Sequence, residues 1–204
     1  MTAPVAANAG YAGLDSRVTA ASGSGGYGMI GSEATILAGA NTSGSAQTVT
    51  MQWRTRAQAD AGSDLVSDVV SLGGMTLGSG SQTSPFVLQM SYNPMGSEEA
   101  AAAEGLIYLA WLDPGDGQWE NAVRGNVGGN PSGFQLGAWV PGDMRLGDWG
   151  VNTADHTVWA VLDHNSQFAV VPEPSTLALL AAAAVFGFQF SVFSCRRGRR
   201  REEG

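Results

Sequence analysis

From Leu177 to Cys195 the chain runs nineteen residues without a charge, and only Gln189, Ser191 and Ser194 interrupt it with distinct polarity. As a helix rising about 1.5 Å per residue it would reach about 28 Å, close to the roughly 30 Å hydrocarbon core of a bilayer. A buried core helix is the competing reading. Leu, Ala, Val and Phe occupy every helical face of the run, however, and only nine residues follow to cover them. The run is therefore expected to be one membrane-spanning helix, residues 177–195. Arg196, Arg197, Arg199, Arg200 and Arg201 follow directly, where the positive-inside rule expects a cytoplasmic end. The preceding chain is then expected outside.

Immediately before the run stands Pro172-Glu173-Pro174-Ser175. The two prolines favour extended backbone and remove two N–H donors, which suits a strip read by an enzyme. Box, apolar span and arginine cluster, in that order over residues 171–201, resemble the PEP-CTERM sorting signal of exopolysaccharide-producing bacteria. That signal is recognised by exosortase, a membrane transpeptidase-like enzyme. The resemblance implies export, transient retention in the inner membrane, processing near residues 172–175, and delivery to the cell surface or extracellular matrix. It names exosortase and the inner membrane as partners.

Upstream, five arginines set against fifteen carboxylates give residues 1–171 a formal charge of −10, and the chain contains no lysine. Such a field repels phosphate backbones, which excludes nucleic acid as a partner. Cys195 is the sole cysteine, so no internal disulfide forms, and it reads as a small apolar residue of the span. Residues 1–10, MTAPVAANAG, show neither a basic n-region nor an apolar h-region. Residues 1–30, with the Gly-rich stretch 22–28, are expected to be a linker or the end of an upstream repeat.

Residues 31–170 are expected to form an antiparallel β-sandwich-like domain, so that the whole is mainly β with one C-terminal transmembrane helix. Val49, Met51 and Trp53 alternate with Thr50, Gln52 and Arg54, the period of a half-buried strand. Phe86, Leu88, Met90 and Tyr92 repeat the pattern, and Leu106–Leu112 is apolar on both faces, as a central strand would be. Further strands are expected at 119–123, 134–140 and 157–162, with a last edge strand at 167–171 and one interrupted by Asp68 at 65–72. Glu98–Glu104 is the one helix expected, on the strength of its alanines and glutamates. Turns rich in Gly, Pro and Asp between short strands favour the sandwich. The stretch WGVNTADHTVWAVLDHNSQF, with MQWRTRAQA, SDLVSDVV, FVLQMSY and YLAWLDP, resembles the C-terminal module of large bacterial PEP-CTERM proteins that carry autotransporter-like repeats upstream.

No serine lies in a Gly-x-Ser-x-Gly elbow, and no catalytic residue, metal or cofactor is assigned. His156 and His164, each preceded by an aspartate, lack the third ligand of a zinc site. Counted from Asp113, a calcium loop would need Gly at the sixth position and Glu at the twelfth, where Gln118 and Arg124 stand; the segment reads as a tight turn. Acid pairs for glycoside hydrolysis can be drawn from Glu98, Glu104, Asp113, Asp116 and Glu120, but distance decides that mechanism. Trp53, Trp111 and Trp159 fall within strands and read as core. Trp119, Trp139 and Trp149 lie nearer turns and are the candidate sugar-stacking residues. The function expected is that of a non-enzymatic surface or matrix protein. The rival readings are a carbohydrate-binding module acting on exopolysaccharide and a secreted polysaccharide-acting enzyme.

Overall fold

Alternating side chains give this chain its strands, and the strands at the middle of each sheet are apolar and buried on two faces. The computed structural model describes residues 2–5, 18–19, 32–39, 47–56, 65–75, 77, 80–93, 98–127, 131 and 133–173. All but Glu173 fall in a unit that closes at Pro172. Its strands are β1 (Thr2–Val5), β2 (Val18–Thr19), β3 (Glu33–Gly39), β4 (Gln47–Arg54), β5 (Val69–Gly73) and β6 (Gln82–Ser91). Helix α1 (Glu98–Ala103) follows, then β7 (Ile107–Leu112), β8 (Trp119–Asn121) and a 3₁₀ turn, Ala122–Gly125. The chain continues through β9 (Gly133–Leu136), β10 (Asp148–Asn152), β11 (Thr157–His164) and β12 (Gln167–Pro172).

These strands make two six-stranded sheets, ordered β1-β4-β5-β12-β7-β8 and β2-β3-β6-β11-β10-β9. The architecture is mainly β and sandwich-like, as the alternation predicts. Pairing is antiparallel throughout the described residues except for β9 with β10, which run parallel. Between the sheets lies the main core. Ile36, Phe86, Leu88, Met90, Val158, Ala160 and Leu162 come from one sheet, and Val49, Met51, Val70, Leu72, Ile107, Leu109, Phe168 and Val170 from the other. The period-two assignments at β4 and β6 hold: Val49, Met51, Phe86, Leu88, Met90 and Tyr92 are all buried on this face, and Trp53 packs against it half-buried.

Each central strand also buries its other face. On β7, Tyr108 and Ala110 join Leu65, Val69, Ala169 and Val171 in a second cluster. On β11, Trp159 and Val161 pack with Ala38, Val87, Leu37, Trp139 and Met144. Burial on both faces explains why β7 and β11 read as nearly continuous apolar runs.

Five expectations are corrected or refined. Residues 167–171 form no edge strand: β12 lies between β5 and β7, because its apolar residues alternate onto two buried faces. Residues 1–30, expected as a linker or the end of an upstream repeat, contribute two edge strands, β1 paired with β4 and β2 with β3. The segment 65–72 becomes a strand only after Asp68, whose carboxylate accepts the Arg56 N–H at 2.8 Å and whose own N–H goes to Ser32 Oγ at 2.7 Å. Strand β9 stops at Leu136, short of Val140, and β8 stops at Asn121, whose side chain caps the 3₁₀ turn.

Helix α1 matches the expectation and ends in a Schellman arrangement: Leu106 N–H reaches Ala101 O at 2.8 Å and Gly105 N–H reaches Ala102 O at 3.1 Å, with Gly105 at φ +74°. The run 177–195 lies outside the described residues. Among the described residues no helix is long and apolar enough to cross a membrane.

Glycine at position 150 is required by packing. A Cβ there would lie 2.3 Å from Gln135 O on β9 and 2.6 Å from the Trp159 ring, so neither the parallel β9–β10 pairing nor the seat of Trp159 survives a side chain. Gly150→Ala is expected to lower the unfolding free energy by about 1–3 kcal/mol, the usual range for overpacking. Urea denaturation checks this, and an unchanged midpoint would contradict the β9–β10–β11 register.

Candidate functional site

The turns after β7 and β11 come together at one end of the sandwich and frame a cleft of about 720 Å³. Its wall includes Trp111, Leu112, Asp113 and Pro114 from the β7–β8 hairpin and His164, Asn165, Ser166 and Gln167 from the β11–β12 turn. Ser71 and Leu72 of β5, Ser81, Gly117 and Gly125 complete it.

Backbone bonds hold these turns. Leu72 N–H donates to Ser166 O at 2.8 Å and Asn165 N–H to Ser81 O at 2.7 Å. The Asn165 side-chain amide donates to Met75 O, and Arg54 Nη2 to Gln167 Oε1. In the hairpin, Asp113 N–H pairs with Gln118 O at 2.9 Å and Gly117 N–H with Asp113 O at 2.8 Å. Two buried polar atoms on cleft residues, Trp111 Nε1 and Asn165 Oδ1, have no protein hydrogen-bond partner, an arrangement that costs about 1–3 kcal/mol apiece.

His164 is the buried pivot. Its ring stands edge-on to Trp111 at 5.2 Å and tilts against Phe168 at 5.5 Å. Nε2 lies 3.0 Å from Ala122 O, and since a carbonyl only accepts, Nε2 carries the proton. Gly125 makes this approach feasible, because a Cβ there would sit 2.7 Å from His164 Nε2 and 3.0 Å from Trp111. Burial pushes the His164 pKa below its ordinary value, against the weaker upward pull of the Ala122 carbonyl and the Asp163 carboxylate. Burial likewise pushes Asp163 up, opposed by the Val127 N–H that its carboxylate accepts at 3.2 Å. Asn126 bridges the same strand, donating to Val161 O and accepting from Asp163 N–H, each at 3.0 Å.

The two Asp-His pairs serve the fold. Asp155 accepts from Asn152 Nδ2 at 2.7 Å and His156, at φ 51°, packs edge-on against Tyr92 in the β10–β11 turn. Neither histidine falls in a group of three metal-ligating side chains among the described residues. Three of the acids considered for hydrolysis do converge: oxygens of Asp113, Asp116 and Glu120 lie within 4.8 Å of one another. Asp113 and Asp116 cap their own turn, accepting Gly115 N–H at 2.7 Å and Gln118 N–H at 2.9 Å. Glu120 lies 3.9 Å from Arg124. Glu98 begins α1 and Glu104 is exposed beyond its end; neither belongs to this group.

None of the candidate stacking residues lines the cleft. Trp119 is half-buried against the outer cluster of β7 and β12. Trp139 lies over Trp159 and Val161, its Nε1 donating to Asp143 O at 2.6 Å. Trp149 packs between Phe134 at 4.8 Å and Tyr108 at 6.2 Å. Trp111, assigned to the core by its place in a strand, is only partly buried and forms a cleft wall. Its position one residue before the Leu-Asp-Pro-Gly turn was the sequence signal for this.

Of the sorting box, Pro172 is the last residue of β12, buried and paired with Ile107. The box thus starts inside the sheet rather than beyond it: a proline's missing N–H forfeits only the final ladder bond. Glu173 is exposed. Pro174, Ser175 and Arg196, Arg197, Arg199, Arg200 and Arg201 lie outside the described residues. No family model, no curated protein and no solved structure matches the chain.

The buried neutral histidine makes stability depend on pH. With its folded pKa below the unfolded value of about 6.5, the unfolded chain binds more protons between the two. Stability therefore falls as pH drops below about 6.5, by at most about 1.4 kcal/mol per pH unit from this group. Asp163 acts oppositely, its contribution being present below the ordinary aspartate range and lost as pH rises through its raised value. Denaturation at pH 7 and pH 5 should show the loss in the native chain and a flatter profile in His164→Gln. Equal slopes in both would contradict the buried neutral ring.

Proposed function

We propose that the chain is a non-enzymatic protein exported to the cell surface or extracellular matrix, sorted by an exosortase through residues 171–201. The observation that carries this is the order of three features: Pro172-Glu173-Pro174-Ser175, the uncharged run 177–195, and five arginines within 196–201. Each has its own physical role. The run is long enough to cross a bilayer once, the arginines orient it with the C-terminus in the cytoplasm, and the box faces the processing enzyme outside. In this reading the span is an address in the inner membrane, removed once the box has been read.

The end of the folded unit supports the reading. Strand β12 stops at Pro172 and Glu173 is exposed, so the residue after the last ladder pair is accessible to a processing enzyme. The charge of −10 over residues 1–171 suits a protein held away from nucleic acid and kept soluble by self-repulsion.

Mass spectrometry of the protein from an exosortase-bearing host tests the proposal. The mature chain should end near the box and lack the run and the arginine tail. Replacing Glu173 and Pro174 together by Ala should leave full-length protein in the inner membrane. Intact membrane-embedded protein from the unaltered sequence would refute sorting.

A further inference from the structure

We propose that the cleft walled by Trp111 binds a neutral saccharide. This assignment stands on the cleft alone and does not require the sorting reading.

The chemistry of the wall selects the ligand class. Trp111, Leu72, Leu112 and Pro114 offer apolar surface, while the rim carries serine hydroxyls and the side-chain amides of Asn165 and Gln167. A wholly apolar ligand would take away water from the serine hydroxyls and the Gln167 amide N–H groups without replacing its hydrogen bonds. A phosphate or other strong anion would meet no lysine or arginine on the wall, where the one charged residue is Asp113. The same carboxylate and the surrounding charge of −10 disfavour uronates and sulfated sugars. A sugar ring meets all three conditions, with C–H faces for the indole, hydroxyl edges for the amides and serines, and no charge.

Two further features fit. Two of the wall residues, Trp111 and Asn165, each carry a buried polar atom, Nε1 and Oδ1, without a protein hydrogen-bond partner. The volume, about 720 Å³, falls within the roughly 300–1,000 Å³ of small-molecule sites. The wall is also set in advance. His164 stands edge-on against Trp111, Gly125 closes over both, and Arg54 holds Gln167 by its Oε1, which limits the ordering cost of binding. Trp111 is the stacking residue, Asn165 and Gln167 are the polar contacts, and His164 is a positioning residue.

A glycan array carrying neutral hexose, N-acetylhexosamine and uronate oligosaccharides, probed with the full chain in a detergent without a sugar head group, provides the test. Neutral glycans should bind and uronates should not. The strongest neutral glycan, titrated into ¹⁵N-labelled protein, should shift the Trp111 indole N–H and the Asn165 and Gln167 amides saturably. Trp111→Ala should weaken it by at least about tenfold, the loss typical of a central aromatic contact. Should Trp111→Ala fail to fold, Trp111→Phe and the rim variant Gln167→Ala serve instead, each expected to weaken binding several-fold while the Trp159 resonances stay in place. Absence of any neutral hit, preference for uronates, or binding indifferent to changes at both Trp111 and Gln167 would overturn the assignment.

Discussion

The structure depends on the strand pairing of β12 with β7. Five consecutive residues, Phe168 to Pro172, lie opposite Trp111 to Ile107, and on its other side β12 meets β5 through Gln167 and Phe168. Where β5 has not yet begun, the preceding segment takes over: Val66 N–H donates to Val170 O at 2.9 Å and Val170 N–H to Ser67 Oγ at 2.7 Å. A strand without these partners would leave buried backbone groups unmet at a cost of about 1–3 kcal/mol each. With them, the last strand of the domain holds β5 and β7 in one sheet and contributes Phe168 and Val170 to the main core and Ala169 and Val171 to the outer one.

The same pairing sets the position of the cleft and of the proposed sorting segment. Upstream of β12, the β11–β12 turn brings His164, Asn165 and Gln167 beside Trp111, so the cleft exists only when β12 is seated against β7. Downstream, the proposed sorting segment overlaps the last residues of the ladder, which ends at Pro172. Under the proposed sorting, the strand that completes the domain would stay with the folded part when the tail was removed.

Local pattern made much of the fold legible. Alternation located the inward faces of β4 and β6, two-sided apolarity located β7, and the alanines and glutamates of 98–104 located α1, because each depends only on near neighbours in the chain. Strand order did not follow from pattern. Residues 167–171 look like an ending, yet hydrogen bonds with Val66, which donates, and Ser67, which accepts, about a hundred residues earlier, place them centrally. Parallel pairing of β9 with β10 depends on Gly150 facing Trp159 and Gln135, a three-strand relation that no single segment contains. The cleft was hidden for the same reason: Trp111 reads as core by its strand, and only the meeting of two distant turns turns its ring into a wall. Asp113, Asp116 and Glu120 converge through one short hairpin, a proximity that their residue types alone did not single out from Glu98 and Glu104.

Hydrogen exchange of the full native chain, followed by peptide mass spectrometry, tests most directly whether β12 is the strand on which the sheet depends. The backbone amides of 168–171 should exchange among the slowest in the protein, together with those of β7 and β11, and protection should end at Glu173. Fast exchange over 168–171, like that of a fraying terminus, would contradict the account.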